Sequence, residues 1–187
     1  MEFSKKTREL SIKKMQERTL DLLIIGGGIT GAGVALQAAA SGLETGLIEM
    51  QDFAEGTSSR STKLVHGGLR YLKQFDVEVV SDTVSERAVV QQIAPHIPKP
   101  DPMLLPVYDE DGATFSLFRL KVAMDLYDLL AGVSNTPAAN KVLTKEEVLA
   151  REPELKQEGL VGGGVYLDFR NNDARLVIEN IKRANQD

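Results

Sequence analysis

Residues 20–49 read LDLLIIGGGITGAGVALQAAASGLETGLIE, and no other stretch restricts the fold as strongly. Leu22–Ile25 is a short aliphatic run suited to a buried parallel strand. Gly26, Gly28 and Gly31 then match G-x-G-x-x-G where that strand should hand over to a helix. Residues 30–41 are nearly all small or aliphatic and predict the helix, with Gly42 as its left-handed terminator. Leu47-Ile48-Glu49 predicts a second strand ending on an acid, 21 residues after Gly28. Strand, glycine turn, helix and acidic strand end together make a dinucleotide-binding βαβ unit.

Each residue type has a physical role there. Gly26 permits a sharp turn out of the strand, Gly28 lets a pyrophosphate approach the backbone, and Gly31 allows close helix–strand packing. The N–H groups and partial positive charge at the helix start favour phosphates. Glu49 offers a carboxylate to a ribose diol, and no Arg or Lys follows it before Arg60, which argues against a 2′-phosphate and so against NADP. The fingerprint alone leaves NAD and FAD both open. Residues 22–43 also carry no charge and follow a basic stretch, as a signal anchor would, but six glycines and Gln37 interrupt them.

Composition narrows the function classes. The chain has 187 residues, 42% of them hydrophobic, enough for a sizeable core. A net charge of −5 gives no basic footprint for nucleic acid. Without Cys there is no disulfide framework, thiolate nucleophile or Cys-based metal site, and the two histidines form no cluster with metal spacing. A reducing, cytoplasmic location is expected.

Along the chain, residues 1–18 carry six bases against three acids, with a thin apolar stripe of Phe3, Leu10 and Met15. They predict a solvated N-terminal helix, with membrane association weak at most. Residues 50–63, MQDFAEGTSSRSTK, form a polar loop whose Thr57, Ser58 and Ser59 suit phosphate and ribityl oxygens. Residues 64–72 read LVHGGLRYL: His66 is a candidate base, and Gly67-Gly68 permits close approach of a flat ligand such as a flavin ring. The fork of Arg70, with Tyr71 beside it, suits a phosphate or carboxylate substrate.

Further on, residues 77–94 predict a helix facing inward through Val77, Val80, Val84 and Ala88, stopped by Pro95. His96 belongs to a rigid Pro-flanked turn. Residues 103–108 predict a strand leading into an acidic turn at Asp109–Gly112. Residues 115–130 predict a helix lined by Phe118, Val122, Leu126 and Leu129. Thr144–Glu147 reads as a capping box, and residues 159–169 as a strand with a glycine-rich entry. Asp168 and Arg170 suit either a substrate cavity or a strand-end salt bridge. Asp173 is the expected cap of a last helix, residues 174–185. Only two adjacent strands of a doubly wound sheet are clearly present, so the expectation is an N-terminal piece of a longer chain.

With these stretches in hand, the chain resembles the FAD-dependent glycerol-3-phosphate dehydrogenase and α-glycerophosphate oxidase family. The resemblance rests on IGGGITGAG (Ile25–Gly33), TSSRSTKLVHGGLRYL (Thr57–Leu72), APHIP (Ala94–Pro98) and NDARL (Asn172–Leu176). Residues 63–72 are far more specific than the glycine motif. The family often has Asp and Arg on the first helix, where this chain has Gln37 and Ser41. The basic extension and the acidic turn look more like the oxidases of lactic acid bacteria than the membrane-associated dehydrogenases.

The resemblance implies an α/β fold: a Rossmann-like FAD-binding domain of the glutathione-reductase type with part of a substrate or cap domain. The implied segments are an extension (1–19), an FAD-binding core (20–98), the start of a substrate region (99–170) and a returning helix (171–187). The implied cofactor is FAD, held by Gly26, Gly28, Gly31, Glu49, Thr57, Ser58, Ser59, Lys63, Gly67 and Gly68. The implied activity is oxidation of glycerol 3-phosphate to dihydroxyacetone phosphate, with His66 as base, Arg70 and Tyr71 on the substrate, and oxygen reduced to hydrogen peroxide. Alternatives are a quinone as acceptor, an amine or amino-acid substrate on the same fold, or a non-catalytic dinucleotide sensor. Homo-oligomerisation is left open.

Overall fold

A computed structural model describes residues 4–110 and 115–186. In chain order the first elements are α1 (Arg8–Glu17), β1 (Leu22–Ile25), α2 (Ile29–Ala40), β2 (Thr45–Ile48) and β3 (Leu64–Val65). A 3₁₀ turn (Leu69–Gln74) leads to α3 (Val77–Ile93), β4 (Lys99–Tyr108) and α4 (Leu117–Leu130). The last are β5 (Lys141–Leu143), α5 (Lys145–Arg151), β6 (Leu160–Arg170) and α6 (Asp173–Ala184). Two compact units share this chain: residues 1–63 with 171–187, and residues 64–170. Residues 64–98, expected with the nucleotide-binding core, therefore group with the second unit.

The first unit contains the expected βαβ. β1 and β2 pair in parallel, from Leu22 opposite Thr45 to Ile25 opposite Ile48, and Glu49 follows directly. α2 buries Ala32, Ala35 and Ala38 along one face. α6 presents Val177 and Ile181 to Ala32, a contact close enough to need small residues on one side. At the end of α2, Gly42 takes φ +79° and its N–H bonds Ala39 while Leu43 N–H bonds Ala38, which closes the helix as a Schellman motif. Residues 22–43 are thus a strand and a helix, and among the described residues no helix is long and apolar enough to cross a membrane. α1 buries no residue, and Phe3 of its expected stripe lies outside the described residues.

The second unit is built on β6. β3, β4 and β5 all pair with it antiparallel. Pro100, Pro102 and Pro106 of β4 fall at positions of one parity, so the N–H groups missing from this edge strand are not those its ladder needs. Residues 162–164 are glycines because helices close on both faces of β6. A Cβ at Gly164 would lie 2.6 Å from the Met124 sulfur of α4, and one at Gly163 3.0 Å from Val148 of α5. Thr144 and Glu147 form the expected capping box on α5.

Three expectations are corrected here. α4 turns Leu120, Ala123, Met124 and Tyr127 inward, while Phe118, Val122 and Leu129 are exposed, because glycines open space for the inward residues, Gly164 for Leu120 and Met124 and Gly67 for Tyr127. α3 buries Val80, Val84 and Arg87, leaving Ala88 outside, because a buried carboxylate receives Arg87. The cap of α6 is Asn172, whose side chain accepts from Arg175 N–H at 3.1 Å; Asp173 is the first helical residue. Asp111 and Gly112 of the acidic turn lie outside the described residues.

Candidate nucleotide cradle and active-site turn

The cradle belongs to the first unit. α2 starts at Ile29, directly behind Gly28, so its first-turn N–H groups open at the glycine motif. A Cβ at Gly31 would lie 1.9 Å from the Gly26 carbonyl oxygen, so helix and strand end touch there. Gly28 has only the Ser58 hydroxyl near the place a Cβ would take, at 3.5 Å. That hydroxyl accepts the Ile29 N–H at 3.0 Å, bringing the polar loop onto the helix start.

Glu49 is half-buried and accepts two backbone N–H groups, from Gly27 at 2.7 Å and Gln51 at 2.9 Å. These bonds, Gly27 first, hold its carboxyl below the usual range and keep it ionised. Gly27 is fixed from its other side too, since its carbonyl accepts Ala54 N–H at 2.9 Å. Each Glu49 oxygen retains acceptor capacity for a diol.

The rest of the loop is clasped to α6. Ser61 donates to Asp173, which also accepts from Asn171 Nδ2 at 2.5 Å. Lys63 takes φ +60°, its ammonium donates to the Ser59 carbonyl, and its own carbonyl accepts Asn171 N–H at 2.8 Å. Thr57 is exposed and its carbonyl accepts Arg60 N–H at 3.1 Å. Gly28, Ser58 and Glu49 are therefore gathered at one strand-to-helix junction, while Ser59, Ser61 and Lys63 gather at the start of α6.

The HGGLRY turn belongs to the second unit. His66 and Arg70 are exposed, with Gly67 and Gly68 buried between them. Arg70 lies over the half-buried ring of Tyr71, 5.2 Å from its centroid. Tyrosines of this unit fill the space beside both glycines: a Cβ at Gly67 would meet the Tyr127 hydroxyl at 2.3 Å, and one at Gly68 the Tyr71 ring at 2.8 Å. Gly68 also needs φ +72°.

Beneath the turn lies a polar cluster that pattern reading missed. Asp168 Oδ1 accepts from Arg87 Nη1 at 2.8 Å, Gly67 N–H at 3.2 Å and the Tyr127 hydroxyl at 3.3 Å. The same hydroxyl accepts from Arg87 Nη1 at 2.7 Å and Gly67 N–H at 3.0 Å. Arg87 and Asp168 are 5% and 2% exposed, and the guanidinium stacks 4.6 Å from the Phe169 ring centroid. Burial raises the Tyr127 hydroxyl well above the ordinary phenol, and pushes Tyr166, edge-on to it, up to about 12. Arg87 is the residue three after Val84 on a buried helical face, and a cation at such a position was the available signal. Of the two readings open for Asp168 and Arg170, the structure pairs both: Asp168 with Arg87, and Arg170 with Asp101 at 3.4 Å. His96 is exposed in its turn, outside this cluster.

The chain is 96% identical over all 187 residues to the alpha-glycerophosphate oxidase of Streptococcus pneumoniae serotype 4, and covers 31% of it. It is 75% identical to the alpha-glycerophosphate oxidase of Enterococcus casseliflavus, again over the whole chain and 31% of that protein. The chain thus spans about a third of the length of these curated relatives. Among solved structures, the glycerol-3-phosphate dehydrogenase of Bacillus halodurans complexed with FAD matches with TM-score 0.70 and 40% identity, over 99% of this chain and 28% of that one. The model of the FAD dependent oxidoreductase (DAO) family matches residues 21–187, so the chain belongs to the FAD dependent oxidoreductase family.

Proposed function

We propose that the protein containing this chain uses FAD to oxidise sn-glycerol 3-phosphate to dihydroxyacetone phosphate, with oxygen reduced to hydrogen peroxide. The observation that carries this reading is 96% identity across the whole chain, cradle and HGGLRY turn included, to a protein named for that oxidation. A cytoplasmic location goes with it. The residues fit the cofactor. Gly28 and the start of α2 suit the pyrophosphate, and Glu49, ionised and with acceptor capacity left, suits the adenosine ribose. Ser58 adds a hydroxyl at the same junction.

FAD, when bound, supplies the two-electron acceptor that takes a hydride from C2 of the substrate. The chain's residues handle the proton and the phosphate. A secondary alcohol gives up hydride readily only as its proton leaves, and His66, exposed at the turn, takes the C2 hydroxyl proton. Arg70 holds the phosphate dianion through its charge-assisted fork, and the Tyr71 ring beneath limits where the guanidinium points. The buried cluster keeps the turn rigid, so little is lost to ordering it when substrate arrives.

The test is the full-length enzyme with glycerol 3-phosphate. A visible flavin spectrum that bleaches anaerobically with this substrate, and one peroxide per turnover in air, are expected. His66→Asn should lower turnover by about 10²–10⁴. Arg70→Ala should chiefly raise KM. Bleaching without peroxide would select the second reading, a glycerol-3-phosphate dehydrogenase, which the 40% identity to the Bacillus halodurans dehydrogenase favours. No bleaching with this substrate would end both.

A further inference from the structure

We propose that Tyr127 and Asp168, held by Arg87, are positioning residues that set the His66–Gly67 peptide and thereby the imidazole of the proton acceptor. The inference rests on the assignment of His66 above. The cluster acts through the backbone, by way of the Gly67 N–H.

Gly67 N–H is buried and shared between the Tyr127 hydroxyl at 3.0 Å and Asp168 Oδ1 at 3.2 Å. Two acceptors from different elements, α4 and β6, thus fix one peptide plane. The Gly67 carbonyl in turn lies 2.9 Å from Thr83 Oγ1 of α3, whose single proton is shared with the Val79 carbonyl at 2.8 Å. With its N–H held by two buried acceptors, the His66–Gly67 peptide has little freedom to tilt, and His66 is one of the two residues it joins. The missing Cβ of Gly67 is what admits the Tyr127 hydroxyl to this place.

A cluster serving stability alone has a cheaper solution. Burying an Arg–Asp pair costs desolvation that well-packed apolar residues avoid. Here the pair does something apolar residues cannot. It presents acceptors to a backbone N–H and polarises them: Arg87 Nη1 bonds both the Tyr127 hydroxyl and Asp168 Oδ1, the two atoms that receive Gly67. The tyrosine also remains protonated across the working pH range, because burial raises its hydroxyl, so the arrangement does not change as His66 takes up and releases protons.

Tyr127→Phe isolates the effect, since it keeps the ring and leaves Gly67 its weaker bond to Asp168. In the full-length holoenzyme it should lower kcat by about tenfold with KM changed less than twofold, as expected when a reacting group is slightly misplaced. Tyr166→Phe is the control, removing a hydroxyl from the half-buried neighbouring ring, whereas the Gly67 N–H bonds Tyr127 and Asp168; it should leave kcat unchanged. The deciding measurement is the cycle with His66→Asn. If Tyr127 acts through His66, the tenfold effect vanishes in the His66→Asn background. If Tyr127→Phe lowers kcat equally in both backgrounds, or not at all, the positioning role is overturned while the His66 assignment stands. If His66→Asn alone is silent, the assignment falls and the inference with it. Asp168→Asn, which keeps the acceptor oxygen and loses the charge, should reproduce the kcat effect and its disappearance.

Discussion

Glu49 Oε2 accepts the Gly27 N–H at 2.7 Å, so the residue directly after β2 is tied to the turn between the first two glycines of the fingerprint. The acid is thereby part of the strand-to-helix junction before any ribose arrives. Glu49→Gln keeps one acceptor oxygen and loses the charge, so the bond from Gly27 N–H loses its charge assistance. FAD affinity, read by fluorescence titration of the apoprotein, should fall by about tenfold. The carboxyl is depressed relative to the unfolded chain, so its contribution is fully present above the ordinary glutamate value of about 4.3 and is lost as pH falls through the lower folded value. The urea midpoint of the wild type should therefore fall as pH drops through that window by more than that of Glu49→Gln.

Gly31 and Gly33 sit two residues apart on α2 and predict opposite outcomes. Alanine at 31 would drive its Cβ to 1.9 Å from the Gly26 oxygen, whereas nothing lies within 4 Å of one at 33. Gly31→Ala should abolish FAD retention and lower the melting temperature. Gly33→Ala should be neutral to stabilising by up to about 1 kcal/mol, the helix-propensity difference. Purification with measurement of the flavin-to-protein absorbance ratio, followed by a thermal melt, separates them.

Removing Arg87 alone strands a carboxylate that is 2% exposed. Arg87→Met should cost about 3–5 kcal/mol of stability. The double variant Arg87→Met/Asp168→Asn should recover more than half of that loss. The urea midpoints of the two, compared with the wild type, decide it.

Asp173 holds Ser61 and Asn171 at once, closing the polar loop onto α6. Asp173→Ala should speed FAD dissociation by about tenfold, the value of one lost charge-assisted bond at the lower end of its range. Its cost in stability should be smaller than that of Arg87→Met, because Asp173 and Ser61 are less buried than Arg87 and Asp168. Stopped-flow release of FAD and a urea titration provide the two numbers.

The βαβ unit was legible because every level of its sequence agrees: aliphatic strand, glycines at fixed offsets, small-residue helix, left-handed Gly42 and terminal Glu49. Capping chemistry was legible at Thr144 for the same local reason, and one residue off at Asn172 because Asp173 is equally suited to cap until Ser61 takes its carboxylate. The inward face of α4 was not legible. Its Phe118 and Leu129 point outward, while the triglycine strand leaves room for Leu120 and Met124, and Gly67 for Tyr127. Nor was the Arg87 cluster, whose partners lie 40 and 81 residues away and follow no local periodicity. Of the site itself, the sequence could place His66, Arg70 and the glycines side by side, but not say what fills the space behind Gly67.

The division of the chain has a consequence for synthesis. α6 buries Val177 and Ile181 against α2, yet more than a hundred residues of the second unit are made between them. At about 5–20 residues per second on the ribosome, the small-residue face of α2 waits several seconds or more for its partner helix. The sheet unit, being one continuous stretch, is complete before that partner emerges. During the wait the nascent chain exposes a folded insert and an unfinished host, and the interval is when a holding chaperone has most to protect.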